Sequence, residues 1–80
     1  MHEPGVLCEI VKKVGAVAEQ NNIKAIRHIT LEVGDESTYV PIFFEKLFPI
    51  AIEQIEVLKG AELKILNVPG RRLIIRDIGY

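Results

Sequence analysis

The stretch that decides the fold runs from Lys24 to Gly34 and has the sequence KAIRHITLEVG. Within it, Ile29, Leu31 and Val33 alternate with polar residues, which is the period of a half-buried β-strand. Gly34 ends the strand, and the polar residues that follow are typical of a turn. A strand with one apolar face needs other elements to cover that face, so the segments on either side should supply them.

The segment before this strand has helical periodicity. Between Val6 and Asn21 the apolar residues recur three and four positions apart, and the other face carries the polar residues Glu9, Lys12, Lys13, Glu19 and Gln20. Pro4 suits the first turn of a helix, and Asn21-Asn22 offers a residue for the left-handed conformation that often ends one. The sequence predicts an amphipathic helix with residues 1–3 as a short extension at its positive end. Its core stripe contains Leu7, Ile10, Val11, Val14, Val17 and Ala18.

A second helix is predicted after the strand, from about Val40 to Leu58. Pro49 lies in its middle, where it removes an amide donor and clashes with the preceding turn. We therefore expect a kink, or two shorter helices that meet near Phe48. The predicted core stripe contains Val40, Phe44, Leu47, Ala51, Ile55 and Leu58. Apolar residues off this stripe predict a contact surface, and they are Ile42, Ile50, Ile52 and Val57.

Two further strands are predicted, from Glu62 to Val68 and from Leu73 to Ile78. Pro69-Gly70 between them is the pair favoured at the centre of a type II turn, so we expect a hairpin. The apolar run from Leu73 to Ile75 would occupy both faces of a strand, which favours a central position for it in the sheet. The expected open face of the sheet carries Ile26, Leu66, Ile74 and Ile78.

The predicted fold is a single α+β domain over residues 1–80, in the order α-β-α-β-β. It has a three-stranded mixed sheet with two helices packed on one face. Hydrophobic residues make up 49% of the chain, which is enough for a core.

Charge and composition exclude several function classes. A net charge of −1 with interspersed signs argues against nucleic acid or an anionic membrane as a partner. No apolar run approaches the ~20 residues of a membrane span, and no secretory signal pattern opens the chain, so we expect a cytoplasmic protein. One cysteine supplies neither an internal disulfide nor a structural zinc site. No residues suggest an enzyme's acid, base or nucleophile arrangement, so catalysis is not expected.

Met1-His2-Glu3 is the strongest candidate for a functional site. The terminal amine, the His2 amide nitrogen and the His2 ring nitrogen can form successive small chelate rings around one cation, an arrangement that suits Ni(II) or Cu(II). Glu3 would add an oxygen ligand or steady the site from outside it. The alternative is that His2 is a terminal histidine without a functional role. Binding needs deprotonated nitrogens, so acid should release the metal as the pH falls through about 6 to 8.

Other chemistry-bearing residues have simpler interpretations. His28 lies on the polar side of the first strand and is expected at the surface. Cys8 is expected at the boundary of the first helix's apolar stripe, with a thiolate contribution to the metal as the alternative. The basic residues near the last turn, Lys64, Arg71, Arg72 and Arg76, lack a glycine-rich phosphate loop, so they indicate a soluble edge.

Sequence motifs along the whole chain carry a family resemblance. They are Met1-His2-Glu3, Leu7-Cys8-Glu9-Ile10, Leu31-Glu32-Val33-Gly34, Val40-Pro41, Gly60-Ala61-Glu62-Leu63 and Val68-Pro69. With these motifs the chain resembles the HypA/HybF family of nickel metallochaperones in [NiFe]-hydrogenase maturation. The family's zinc ribbon, with two Cys-x-x-Cys pairs, would be inserted near Pro69-Gly70, where this chain has a short turn.

The resemblance implies a nickel-binding accessory protein that takes Ni(II) through Met1, His2 and Glu3. It also implies a nickel enzyme precursor or a maturation GTPase as partner, with no zinc in this chain. The alternative from a different class is a non-catalytic interaction or dimerisation module on the same scaffold, which uses the surplus apolar surface to bind a second copy or another protein.

Overall fold

The computed structural model describes the backbone of residues 3–80 and the side chains of residues 5–80. Its elements are α1 (Glu3–Gln20), β1 (His28–Gly34), α2 (Pro41–Ala51), a 3₁₀ turn (Glu56–Leu58), β2 (Glu62–Val68) and β3 (Leu73–Gly79). This confirms the predicted α-β-α-β-β order, the three-stranded mixed sheet and the two helices. None of the helices in the described part of the chain combines the length and apolarity needed to cross a membrane.

The central strand of the sheet is β1, in the order β2-β1-β3. It pairs parallel with β2, so that Leu31 lies beside Ile65, and antiparallel with β3, so that Leu31 also lies beside Ile75. Ile29, Leu31 and Val33 are fully buried and form the centre of the core. The alternation of apolar and polar residues between Lys24 and Gly34 therefore identified the central strand of the sheet.

The predictions that β3 lies between the other two strands and that β2 and β3 form a hairpin were wrong. β1 separates β2 from β3, and the apolar run that suggested a central position lies at an edge. Adjacent strand residues point to opposite faces, so Leu73 packs against the core while Ile74, on the open face, is 39% exposed. Ile75 lies on the same face as Leu73 but is 36% exposed. An apolar residue on each face does not require a neighbouring strand on each side.

Helix α1 packs on the sheet as its apolar periodicity predicts. It begins at Glu3, so Glu3 belongs to the helix and not, as predicted, to an extension ahead of it. The helix ends where Asn22 adopts φ 56°, and the Ile23 amide donates to the Ala18 carbonyl at 2.8 Å. The buried positions are Leu7, Ile10, Val11, Val14 and Ala18, whereas Val17 is exposed.

Helix α2 is shorter than predicted. It continues through Pro49 and ends at Ala51, so the break comes one turn later than Phe48. Pro49 has no amide to donate to the carbonyl four residues earlier, and the helix ends two residues after it. The chain then turns into the short 3₁₀ segment, which buries Leu58. Off the predicted stripe, Ile42 and Ile50 are exposed, but Ile52 and Val57 belong to the core or pack against it.

The open face of the sheet differs from the prediction in two residues. Register places Leu66 and Ile74 on either side of Glu32, on the face away from the helices, and both are exposed. Ile26 is only 2% exposed, and Ile78 packs against the core. Ile26 precedes β1 and is not part of the sheet, and a bulge in β3 turns Ile78 toward the helices.

The connection from Pro69 to Arg72 crosses the end of β1. Its backbone bonds to the residues that follow the strand: the Gly34 amide donates to the Arg72 carbonyl at 2.7 Å, and the Glu36 amide donates to the Gly70 carbonyl at 2.8 Å. The Asp35 carboxylate accepts the Gly70 amide at 3.2 Å. Gly70 has φ 103°, as expected for the second central residue of a type II turn. Four residues thus connect β2 to β3 across the end of β1.

Candidate metal centre

The predicted chelating residues lie at the limit of the described structure. Met1 and His2 lie outside the described residues, and so does the side chain of Glu3. The chelate at Met1, His2 and Glu3 therefore stays a prediction. What the structure supplies is its platform, because α1 begins at Glu3 and is anchored from Leu7 onward by buried side chains.

The start of α1 is chemically compatible with an amide-nitrogen ligand. The first amides of an α-helix have no acceptor within the helix, so a metal bound to an amide nitrogen just ahead of Glu3 breaks no helical hydrogen bond. Such an amide loses its proton and becomes anionic, and the positive end of the helix dipole favours negative charge there. Pro4 falls in the first turn, where its missing N–H is not needed.

The start of α1 and the connection between β2 and β3 lie at the same end of the molecule. Val6 and Glu9 of α1 line one groove together with Arg71 and Leu73. The connection therefore lies beside the first turns of α1. In this chain the connection from Pro69 to Arg72 contains no cysteine or histidine, so it offers no soft or imidazole ligand to a metal at that end.

Cys8 is exposed on the second turn of α1 and not at the core boundary as predicted. It follows the buried Leu7 by one residue, and that rotation around the helix carries it out to solvent. Among the residues that the structure describes, no three His, Cys, Asp or Glu side chains lie close enough to hold a metal ion. A thiolate contribution from Cys8 thus has no supporting ligand within the described part.

His28 lies on the open face of the sheet, as predicted, but it is half-buried and has a partner. Its Nε2 lies 3.3 Å from the Asp77 carboxylate of β3. The ring also covers Gly79, where an added Cβ would overlap it. On the same face the Arg76 Nε lies 3.9 Å from the Glu32 carboxylate. Exposed pairs of this kind stabilise weakly, so we assign them to the surface of the sheet and not to a metal site.

Sequence reasoning missed the pairs His28–Asp77 and Arg76–Glu32, because they depend on the register of strands far apart in sequence. The bulge at Arg76 sets that register, and no local pattern indicates it. Sequence reasoning also missed the role of Gly34. Its signal was a glycine in an otherwise apolar strand, which often marks a place where another backbone approaches closely.

Comparison with known proteins agrees with the family resemblance. A family model described as hydrogenase/urease nickel incorporation, metallochaperone, hypA matches residues 1–73. The hydrogenase maturation factor HypA of Trichodesmium erythraeum is 40% identical over 70 residues, which make up 88% of this chain and 58% of that protein. HypA of Methanocella arvoryzae is 32% identical over 70 residues, which make up 88% of this chain and 61% of that protein.

The fold also matches a solved structure. The solution structure of the Ni metallochaperone HypA from Helicobacter pylori superposes with a TM-score of 0.78, covering 96% of this chain and 72% of that one at 20% identity. At that identity the match shows the fold alone. The chain spans about six tenths of the length of the two HypA sequences above.

Proposed function

The chain belongs to the HypA family, and from that membership we propose that it is an accessory protein that binds Ni(II) and delivers it to a nickel enzyme. One observation carries the proposal: the family match begins at Met1 and so includes the Met1-His2-Glu3 motif. The matching family model is described as nickel incorporation by a metallochaperone, and we propose that this chain likewise handles the metal without catalysing a reaction.

The proposed ligands are the Met1 amine, the amide and ring nitrogens of His2, and the Glu3 carboxylate as a further oxygen. Nickel is the cargo and passes to the recipient enzyme, so the site has to bind the metal and then release it. An exposed terminal chelate at the start of a rigid helix suits that requirement, because a partner can approach the metal without opening the core. Protonation of the imidazole or the amine gives a route for release.

The proposed partner is a nickel enzyme precursor or a maturation GTPase, and the proposed place of work is the cytoplasm. The four-residue connection beside the start of α1 bears on this proposal. A ribbon at that position would be next to the nickel site, whereas this chain offers the exposed side chains of Arg71 and Arg72 there. We propose that partner docking at this end relies on the domain itself.

We expect the substitution His2→Ala to abolish stoichiometric Ni(II) binding. The substitution removes a direct ligand. Removing a residue that only hydrogen-bonds to a ligand lowers metal affinity by roughly 10–100-fold, so the loss of affinity in His2→Ala should be at least that large. Isothermal titration of Ni(II) into the untagged protein measures the effect. His28→Ala is the matched control, since it removes the other histidine and should leave the affinity unchanged. Undiminished affinity in His2→Ala, or a loss in His28→Ala, would refute the assignment.

A second candidate function, a non-catalytic interaction module, is favoured by the exposure of Leu66 and Ile74 on the open face of the sheet. Under that alternative the scaffold persists while metal delivery is lost. The titration above separates the two functions, because an interaction module binds no stoichiometric nickel at the N-terminus with or without His2.

A further inference from the structure

Strand β3 has one edge free of any other strand within residues 3–80, since it ends the order β2-β1-β3. Apolar side chains remain exposed along it, with Tyr80 at 74% in addition to Ile74 and Ile75. Val17 of α1, also exposed, lines a groove together with Ile78 and Tyr80. An edge strand with free backbone groups and an apolar margin is a template for pairing with another strand.

The backbone of β3 shows which residues are available for such pairing. The Gly34 amide donates to the Arg72 carbonyl, so the backbone groups of Arg72 point toward β1. By alternation the backbone groups of Leu73 and Ile75 point away from β1, toward the free edge. The register then shifts: Leu31 pairs with Ile75 but Thr30 pairs with Asp77, which leaves Arg76 as the extra residue of a bulge. Beyond the bulge the Gly79 carbonyl accepts the Arg27 amide, so Ile78 faces outward.

The bulge also decides which side chains share a face. The Asp77 carboxylate reaches His28 at 3.3 Å and the Arg76 Nε reaches Glu32 at 3.9 Å. His28 and Glu32 are both on the open face of β1, so Arg76 and Asp77 lie on that face although they are consecutive. Ile75 and Ile78, on either side of them, both lie on the helix face: Ile78 packs against the core, and Ile75 lines a groove together with residues of α1.

We propose that β3 pairs antiparallel with β3 of a second copy of this chain. The pairing places Arg76 opposite the partner subunit's Asp77 and Ile75 opposite the partner subunit's Ile78, and two-fold symmetry repeats both pairs. In this register the outward-facing amides and carbonyls of one β3 meet those of the other β3. The two side chains of each cross-strand pair lie on the same face of the sheet. The product is a continuous six-stranded sheet in the order β2-β1-β3-β3-β1-β2.

Charge selects this register. Charged residues and bulges on an edge strand normally prevent pairing, but here two unlike charges are adjacent on one face, so a second copy presents the complementary order. A shift by one residue would set Arg76 opposite itself and Ile75 opposite an aspartate. Two reciprocal ion pairs flanked by two isoleucine pairs therefore define a self-complementary edge.

Sedimentation velocity on metal-free protein over a dilution series from about 100 µM to about 1 µM tests the proposal, because a micromolar Kd gives mostly dimer at the top of that range and a tenfold weaker one dissociates within it. We expect wild type at twice the 9.0 kDa chain mass. Asp77→Arg and Arg76→Asp each set like charges opposite one another, and each should weaken the dimer about tenfold or more. The double variant Arg76→Asp/Asp77→Arg restores unlike pairs in reversed order and should recover the dimer.

Lys64→Glu is the control, since it reverses a charge on β2, the other edge strand, and should leave the dimer intact. Circular dichroism spectra and melting curves of all variants show that the subunit fold is retained. A monomeric wild type would overturn the proposal. So would dissociation by Lys64→Glu alone, or a double variant that stays monomeric while it is folded. None of these outcomes depends on nickel, so the proposal stands or falls separately from metal binding.

Discussion

Phe44→Ala is expected to lose about 3–5 kcal/mol of unfolding free energy, the range for truncating a buried phenylalanine. Phe44 is fully buried among the core side chains of α1, α2 and β1, and its ring lies 5.8 Å from that of Tyr39. Proteins are stable by about 5–15 kcal/mol, and a domain of 80 residues belongs near the lower end. The variant should therefore be marginally folded, with a sharply lower midpoint in urea unfolding at an unchanged slope.

The matched control is Phe43→Ala, one position away on the same helix. Phe43 is 52% exposed, so its truncation should change the free energy of unfolding by no more than about 0.5 kcal/mol. Equal losses in the two variants would mean that α2 does not present Phe44 to the core, and the packing described above would be wrong.

Gly34→Ala is expected to destabilise the protein by about 3 kcal/mol, at the upper end of overpacking effects. A Cβ at this position would overlap the Gly70 carbonyl oxygen and lie 2.9 Å from the Arg71 Cα. Both contacts are to backbone, so no side-chain rotation relieves them. The connection from Pro69 to Arg72 would have to shift, and with it the hydrogen bonds that close the fold across the end of β1.

Gly60→Ala separates this clash from a general loss of glycine. Gly60 has φ 79° with nothing within 4 Å of an added Cβ, so alanine there brings only backbone strain of about 1 kcal/mol. Thermal and urea unfolding of both variants give the comparison. A Gly34→Ala variant as stable as wild type would show that the connection does not lie against the end of β1.

The strands and α1 were predictable because their signals are local. Alternation identified β1, and helical spacing together with Pro4 identified α1. Pro69-Gly70 identified where the chain turns after β2, although the connection is not the predicted hairpin. The end of α2 was harder, because the apolar spacing continues past Ala51 into a segment that packs on the core without being α-helical. Periodicity reports which residues are buried, and it does not report which backbone carries them.

Strand order was not predictable from the apolar content of β3. The informative feature was the unit of strand, helix and strand formed by β1, α2 and β2, which favours parallel neighbours and leaves β3 for the free edge of β1. The surface pairs on the open face depend on the bulge at Arg76, and that bulge depends on tertiary register. For the candidate metal centre, sequence supplied the ligand types, and the structure supplied the rigid helix that starts beside them.

The most direct measurement for the central claim is a titration of Ni(II) into the untagged protein beside the same protein with an acetylated N-terminus. Acetylation removes the amine as a nitrogen ligand and leaves every side chain unchanged, so any difference in binding belongs to the terminal chelate. We expect the unblocked protein to bind one equivalent of Ni(II) and the acetylated protein to lose that binding. Equal binding by both proteins, or no binding by either, would contradict the account.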